Sequence, residues 1–307
     1  MIHICILSAY SYEQIRCGFF NSPIISYKYI MTSWLKLNVV KPLEKKNSLM
    51  FETTDGGFCS QFNQYLYAVL YSEKEQLPLI VNDSTNAVSI RYPLIKNTFT
   101  TDSSITFTDT QVLTSTPLKR RVASIRTFVN DISSNELRLH ARKIFTWNPL
   151  LLVNVQQMLD EESIPFDFDV GVHIRIGGEQ KPISVDSYIR QIKTYQSKEK
   201  KKTLTVFIMT DSSKALDEFL RKKDVSWNVH HFKSPLSVNG HVQREFNAAN
   251  SRTRMNAYMN FIAELVSIQR AEHIVCSFSS NVGRFLYLTA EDYTSVASVD
   301  IPKFIPF

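Results

Sequence analysis

The sequence is poor in the features that announce metal, membrane and nucleic-acid proteins. Its four cysteines, Cys5, Cys17, Cys59 and Cys276, form no C-x-x-C pair, which speaks against a zinc site and gives too little for a disulfide framework. No apolar run approaches the ~18 residues that a membrane helix needs, so no span is expected. Residues 1–9 are apolar but short, and they lack the basic leader of a signal peptide. The formal charge of +6 would suit a polyanion, yet no Lys/Arg block is interleaved with aromatics as a nucleic-acid groove requires. No nucleic-acid partner is therefore expected. Repeats and low-complexity tracts are also missing. What remains is an ordinary globular composition, 44% hydrophobic and 21% charged, in a chain of 307 residues. That length suffices for two α/β domains, each burying its own core.

Residues 1–45 carry no legible element. After them the order strand, turn, helix, strand is clear, at 48–53, Asp55-Gly56-Gly57, 60–72 and 77–82. The helix lines up Phe62, Leu66, Val69 and Leu70 on one face, as an amphipathic helix packed on a sheet does, and the segment predicts one βαβ unit. Residues 100–117, rich in Ser and Thr, read as loop or edge strand. From Phe166 onward the alternation is regular, with strands at 169–176, 204–209, 227–232 and 273–278 and helices at 185–196, 213–222, 252–270 and 281–289. Strands separated by helices of this length imply an α/β fold with a doubly wound parallel sheet. The charge run 198–202 reads as a solvated loop. A boundary near Pro165 divides the chain into an N-terminal α/β domain, 1–165, and a C-terminal Rossmann-like domain, 166–307. A lone glycosylation sequon, Asn82-Asp83-Ser84, leaves the compartment open.

The chemistry concentrates where the second half begins. In residues 169–178, strand alternation puts Val170, Val172, Ile174 and Ile176 on one face and Gly171, His173 and Arg175 on the other. A guanidinium on so apolar a strand needs an anionic partner. Gly177 and Gly178 then let a ligand approach the backbone, and ligands of open parallel sheets bind outside the carboxyl ends of the strands. Two readings are open for Arg175: an anion site, or an ion pair with Asp211 that ties two strands together. The last unit runs a strand into a helix through Ser277, Ser279 and Ser280, where free amides and hydroxyls make an anion site or simply a helix cap. Glu264 falls on a semi-apolar stripe with Ala257, Phe261 and Ile268. It is expected to be partly buried, either paired with an arginine or accepting N–H donors from a ligand, the ion pair being the safer expectation. Asp211 doubles as a candidate N-cap, and the glycine turn at residues 55–61, with Gly57, is a weak phosphate signal.

Taken together these residues resemble the GDP-fucose-dependent fucosyltransferases of GT-B fold, above all the core α-1,6-fucosyltransferase family and its rhizobial chitooligosaccharide relatives. His173-Ile174-Arg175-Ile176-Gly177 is similar to the family's H-x-R segment, whose Arg binds the donor β-phosphate and whose His lies near the nucleotide. Residues Cys276 to Arg284 are similar to its C-T-F-S-S-x-V-x-R stretch, in which a Ser contacts the same phosphate. At constant spacing from that stretch, Glu264 falls where the family has an Asp that recognises guanine. Gly57-Phe58-Cys59-Ser60-Gln61 is similar to its G-Y-G-C-Q turn, and Thr210-Asp211 echoes a T-D. The resemblance implies two Rossmann-type domains and inverting transfer of fucose from GDP-fucose to a GlcNAc-containing glycan or chitooligosaccharide in α-1,6 linkage, without metal or further cofactor. It implies donor binding by His173, Arg175, Glu264, Ser277, Ser279, Ser280, Asp211 and Gly57, and catalysis by Arg175 with Glu179 as base. It also implies a Golgi lumen location if the chain is a catalytic region without its anchor, and otherwise a cytoplasmic one. The sequence departs from the family at Ile176, where a second Arg is usual, at Gly178, where an acidic residue is usual, and in a shorter following loop. Two alternatives therefore stay open: a GT-B transferase for another nucleotide sugar, and a catalytically silent nucleotide- or glycan-binding relative.

Overall fold

The computed structural model describes residues 48–54, 56–83, 88, 93–101, 105–108, 116–117, 128–176, 183–233 and 240–306. Among them two parallel sheets stand out. The first is built from β1 (Leu49–Glu52), β2 (Leu79–Asn82), β3 (Thr106–Thr108) and β4 (Thr116–Pro117) in the order β3-β2-β1-β4. The helix α1 (Phe58–Glu75) joins β1 to β2, and the short α2 (Leu94–Thr98) precedes β3. The predicted βαβ unit is thus present, and the Ser/Thr-rich stretch contributes β3 as an edge strand. Asn82 of the sequon lies in β2, 3% exposed and donating to Glu52, a setting that leaves no room for a glycan in the folded chain.

Two further helices, α3 (Ser134–Ile144) and α4 (Pro149–Glu161), lead to the second sheet. Ser133 caps α3 by accepting from Glu136 N, and Asn148 caps α4 ahead of Pro149 at its first position. The second sheet has the order β7-β6-β5-β8-β9, all parallel: β5 (Phe168–Ile174), β6 (Leu204–Thr210), β7 (Trp227–His230), β8 (Ala271–Cys276) and β9 (Val296–Ser298). Its helices are α5 (Val185–Lys198), α6 (Ser213–Lys222), α7 (Gln243–Ala248), α8 (Ser251–Gln269) and α9 (Asn281–Thr289). The strands predicted at 169–176, 227–232 and 273–278 ran two residues long at their C-terminal ends, that at 204–209 stopped one residue short, and β9 was not foreseen.

The faces of β5 divide as alternation predicts. Val170, Val172 and Ile174 pack with Tyr188, Ile189 and Ile192 of α5 and Phe219 of α6. On the other face Gly171 lies against α8, where a Cβ would sit 3.0 Å from Ile268 Cα, so glycine lets that helix approach the strand. One apolar core runs from Leu49 and Phe51 of β1 through α1 to Phe285 and Phe304. It changes the picture of α1. Tyr65, Tyr67, Ala68 and Tyr71 are buried along with Phe62, Leu66, Val69 and Leu70, so the helix is covered well beyond one face, while Gln64 and residues 73–75 stay exposed. The reason is tertiary: α9 packs Phe285 against Phe62, and the C-terminal segment accepts from Tyr67 at Pro306 O. Arg138 of α3 adds a polar tie, donating to Tyr287 O and Ala290 O at the end of α9 while lying over the Tyr293 ring. Among the described residues no helix is long and apolar enough to cross a membrane.

Candidate functional site

The connections from β5 and β8 leave their strands in opposite directions, α5 toward β6 and α9 toward β9, so a crevice opens at the carboxyl ends of these two neighbours. Most of the candidate residues gather there. Arg175 follows β5 and Asp211 follows β6, and the parallel register of the two strands brings them together. Arg175 Nη1 donates to Asp211 Oδ2 at 2.6 Å, with the two side chains 33% and 15% exposed. The ion pair weighed from sequence is therefore formed. Asp211 also accepts from Ile176 N at 3.1 Å and His241 N at 3.2 Å, so it organises the strand exit and not just the cation. Neither partner is fully withdrawn from solvent, and the guanidinium remains a third exposed at the mouth of the crevice.

Behind the pair stand two groups whose charge state burial controls. His173 is 4% exposed. Burial pushes its imidazole down to about 4, partly opposed by Asp211 and assisted by Arg175, so the ring is neutral at physiological pH. Its Nδ1 has no hydrogen-bond partner among the described residues. Glu264 lies one helical turn before Ile268, the residue of α8 that meets Gly171 of β5. Burial raises its carboxyl to about 8, and the like charge of Asp211 adds to the rise. The arginine partner expected for it does not appear: no ion pair reaches Glu264 among the described residues. Sheet packing decides this, because the stripe that carries Glu264 faces β5 rather than a basic neighbour.

The serine turn after β8 separates into distinct roles. Ser280 Oγ accepts from Val282 N, capping α9. Ser277 is buried, near the Tyr188 hydroxyl of α5, which also lies against the Arg175 backbone and whose phenol burial raises. Yet neither Tyr188 Oη nor Ser277 Oγ completes a hydrogen bond of good geometry among the described residues. The amides of Phe278 and Ser279, expected to be free, both donate to the Asp300 carboxylate, at 2.9 and 3.3 Å. Ser279 alone in the turn is not buried. Gly283 makes the turn possible, since a Cβ there would fall 1.9 Å from Ser277 O. Arg284 Nε closes it from the helix side by donating to Phe278 O at 2.9 Å.

The glycine turn of the first sheet faces the α7 segment. Gly57 is the N-cap of α1 and lies near Gln243, whose Oε1 sits 3.1 Å from His241 Nε2. Gln61 straps the turn by accepting from Thr54 N and donating to Thr54 Oγ1. Asp55, Gly177, Gly178 and Glu179 lie outside the described residues. Sequence reasoning missed Tyr188, His241 and Asp300. Tyr188 reads as an ordinary core position of an amphipathic helix, and His241 reaches Asp211 through its backbone amide. Asp300 is placed only by the register of β9 on β8.

No protein-family model matches the chain, and no curated protein matches its sequence. Solved structures do match in fold. Fucosyltransferase NodZ from Bradyrhizobium aligns at TM-score 0.52 and 12% identity, covering 84% of this chain and 97% of that one. NodZ α-1,6-fucosyltransferase soaked with GDP-fucose aligns at TM-score 0.50 and 12% identity, covering 80% and 93%. The apo-form of POFUT1 aligns at TM-score 0.50 and 9% identity, covering 85% and 100%. The two parallel sheets are thus arranged across most of the chain as in these GT-B fucosyltransferases.

Proposed function

We propose that the chain is a glycosyltransferase that moves fucose from GDP-fucose to a sugar hydroxyl, with inversion and without a metal. The observation that carries this reading is the convergence of Arg175, the serine turn and Glu264 on the carboxyl edge of a doubly wound sheet. In this reading the C1–O bond of the donor breaks with its electron pair passing to the β-phosphate oxygen. Arg175 and the donors of the Ser277–Ser280 turn meet the charge that develops there. The acceptor oxygen attacks C1 from the opposite side, and a carboxylate takes its proton, with Glu179 as the candidate base. Asp211 holds Arg175 in place. Glu264 and neutral His173 line the nucleotide, Glu264 accepting the paired N–H groups of a guanine edge once it has given up its own proton. The acceptor is a GlcNAc-containing glycan or chitooligosaccharide, and the linkage α-1,6.

The test is GDP release from GDP-fucose with a panel of GlcNAc-terminated acceptors, in wild type and Arg175→Ala. Turnover confined to wild type supports the site, and turnover that survives the loss of Arg175 removes it. One observation favours a second reading, nucleotide binding without catalysis. Ile176, which follows Arg175, packs its partly buried side chain against the core beside α5 and commits its amide to Asp211, so Arg175 is the one cation among the described residues of this strand exit. GDP binding with no turnover on any acceptor would select that reading.

A further inference from the structure

We infer that His241 is a catalytic residue of this site: its Nδ1 takes the proton of the acceptor hydroxyl during transfer. The inference rests on the transferase reading above and assigns the proton-acceptor step by contacts, where Glu179 is a candidate by its place in the sequence.

His241 follows Gly240, which is buried and turns the chain at φ 91°. Its amide donates to Asp211 Oδ2 at 3.2 Å, the same oxygen that takes Arg175 Nη1 at 2.6 Å. The residue therefore stands beside the cation assigned to the leaving phosphate. The ring is oriented from its other end. Gln243 Nε2 donates to Asn247 Oδ1 at 2.9 Å, which leaves Gln243 Oε1 to face His241 Nε2, 3.1 Å away. A carbonyl oxygen can only accept, so Nε2 carries the ring proton and, in the neutral ring, Nδ1 keeps its lone pair. Among the described residues nothing bonds Nδ1, the nitrogen next to the main chain whose amide Asp211 holds. Phe246 braces the ring at 5.6 Å between centres and in turn meets Phe58 at the start of α1. Gln243 Oε1 also lies 3.7 Å from where a Cβ on Gly57 would sit. The His241–Gln243 pair thus spans from the glycine turn after β1 to the strand exit after β5, and the imidazole stays partly exposed there.

An imidazole held through one nitrogen, with a lone pair on the other, is the arrangement of a general base. Such a nitrogen offers a phosphate oxygen no donor, whereas it accepts readily from a hydroxyl. In the transfer the acceptor O–H bond breaks and its proton passes to Nδ1, while the oxygen lone pair forms the new bond to C1. The bond from C1 to the β-phosphate oxygen breaks, its electron pair passing to that phosphate. The imidazolium so formed lies near the Asp211 carboxylate and afterwards gives its proton to solvent.

The test is turnover of GDP-fucose with GlcNAc-terminated acceptors in wild type, His241→Ala, His241→Gln and Glu179→Gln. His241→Ala is expected to lose about two to three orders of magnitude in kcat at unchanged GDP affinity, the scale for a general base. Added imidazole, a base that fits the space left, is expected to recover part of that loss. His241→Gln keeps the bulk without the base and is expected to be as slow, which carries the test should His241→Ala fail to fold. Wild-type turnover in either His241 variant, or a loss in His241→Ala that imidazole leaves unchanged, would overturn the inference. So would turnover abolished in Glu179→Gln and kept in His241→Gln, which returns the role to the carboxylate. The orientation is tested at Gln243. Gln243→Leu leaves Nε2 unheld and is expected to slow kcat about tenfold at unchanged donor KM, whereas Gln243→Glu still accepts from Nε2 and is expected to restore it. Equal losses in both would overturn the placing of the lone pair on Nδ1. A wild type inactive on every acceptor removes the transferase reading and this inference together. An active wild type beside an equally active His241→Ala removes the inference alone.

Discussion

The two ends of the five-stranded sheet handle charge in opposite ways. At the amino end, Lys201 joins Asp169 and Glu272, Tyr195 donates to the same Glu272 oxygen at 2.8 Å, and Thr205 N donates to Asp169 at 2.6 Å. Every charge in that network is met within the chain. Its pairing lowers the Asp169 and Glu272 carboxyls and raises the Lys201 ammonium. At the carboxyl end, among the described residues, the Arg175–Asp211 pair and the contacts of Asp300 with the turn amides are complete. Glu264 is held neutral beside a like charge, and His173 Nδ1, Tyr188 Oη and Ser277 Oγ lack partners among the described residues. Buried polar groups are ordinarily satisfied, so an end where several are not is arranged for something other than stability.

The largest way to break this contrast is to remove the glycine that lets the carboxyl end form. Gly283→Ala would drive a Cβ into Ser277 O, and a destabilisation above about 4 kcal/mol is expected in chemical denaturation. Arg175→Ala comes next. It is expected to lower turnover by about two to three orders of magnitude, the scale for loss of one transition-state charge contact. Because Asp211 keeps its two backbone donors and part of its solvent access, the fold should survive, which circular dichroism checks.

Glu264→Gln sharpens the comparison through pH. A carboxyl raised from 4.5 to about 8 keeps its proton in the folded chain while the unfolded chain releases it. Stability contributed by Glu264 therefore falls as pH rises between those values and levels off above about 8. Melting curves of Glu264→Gln should lack that slope, and GDP binding should weaken about tenfold relative to UDP if a carboxylate reads the base. Equal losses for the two nucleotides would sink the guanine assignment. The smallest effect on function is expected from Lys201→Met at the amino end. It should cost about 1–3 kcal/mol of stability above pH 4 and leave GDP affinity unchanged. The pairing lowers the Asp169 and Glu272 carboxyls, so its contribution is present above their unfolded values and is lost as pH falls through the folded ones. The variant should accordingly be less acid-sensitive.

Much of the fold was legible because the signal is local. The boundaries of α6 and α9 were read without error, and the alternation of Val170, Val172 and Ile174 against Gly171 and His173 assigned both faces of β5 before any contact was known. The helices α3 and α4 were missed although their start signals, Ser133 with Glu136 and Asn148 with Pro149, stand in the sequence, and α1 was given one buried face when more of it is covered. The α1 error comes from packing against distant segments, α9 and the C-terminal end, that no window along the chain contains.

For the site, the sequence determined part of the inventory. Arg175 had to end an apolar strand, the serines had to precede a helix, and Glu264 had to fall on a semi-apolar stripe, since strand and helix periods alone dictate these placements. The tertiary structure decided who meets whom. Parallel register gave Arg175 to Asp211 and not to Glu264, and it carried Asp300 to the amides of a turn 21 and 22 residues away. The physical reason is that a strand's period fixes only the face a side chain takes, whereas its partner is fixed by the neighbouring strand and by where that strand ends.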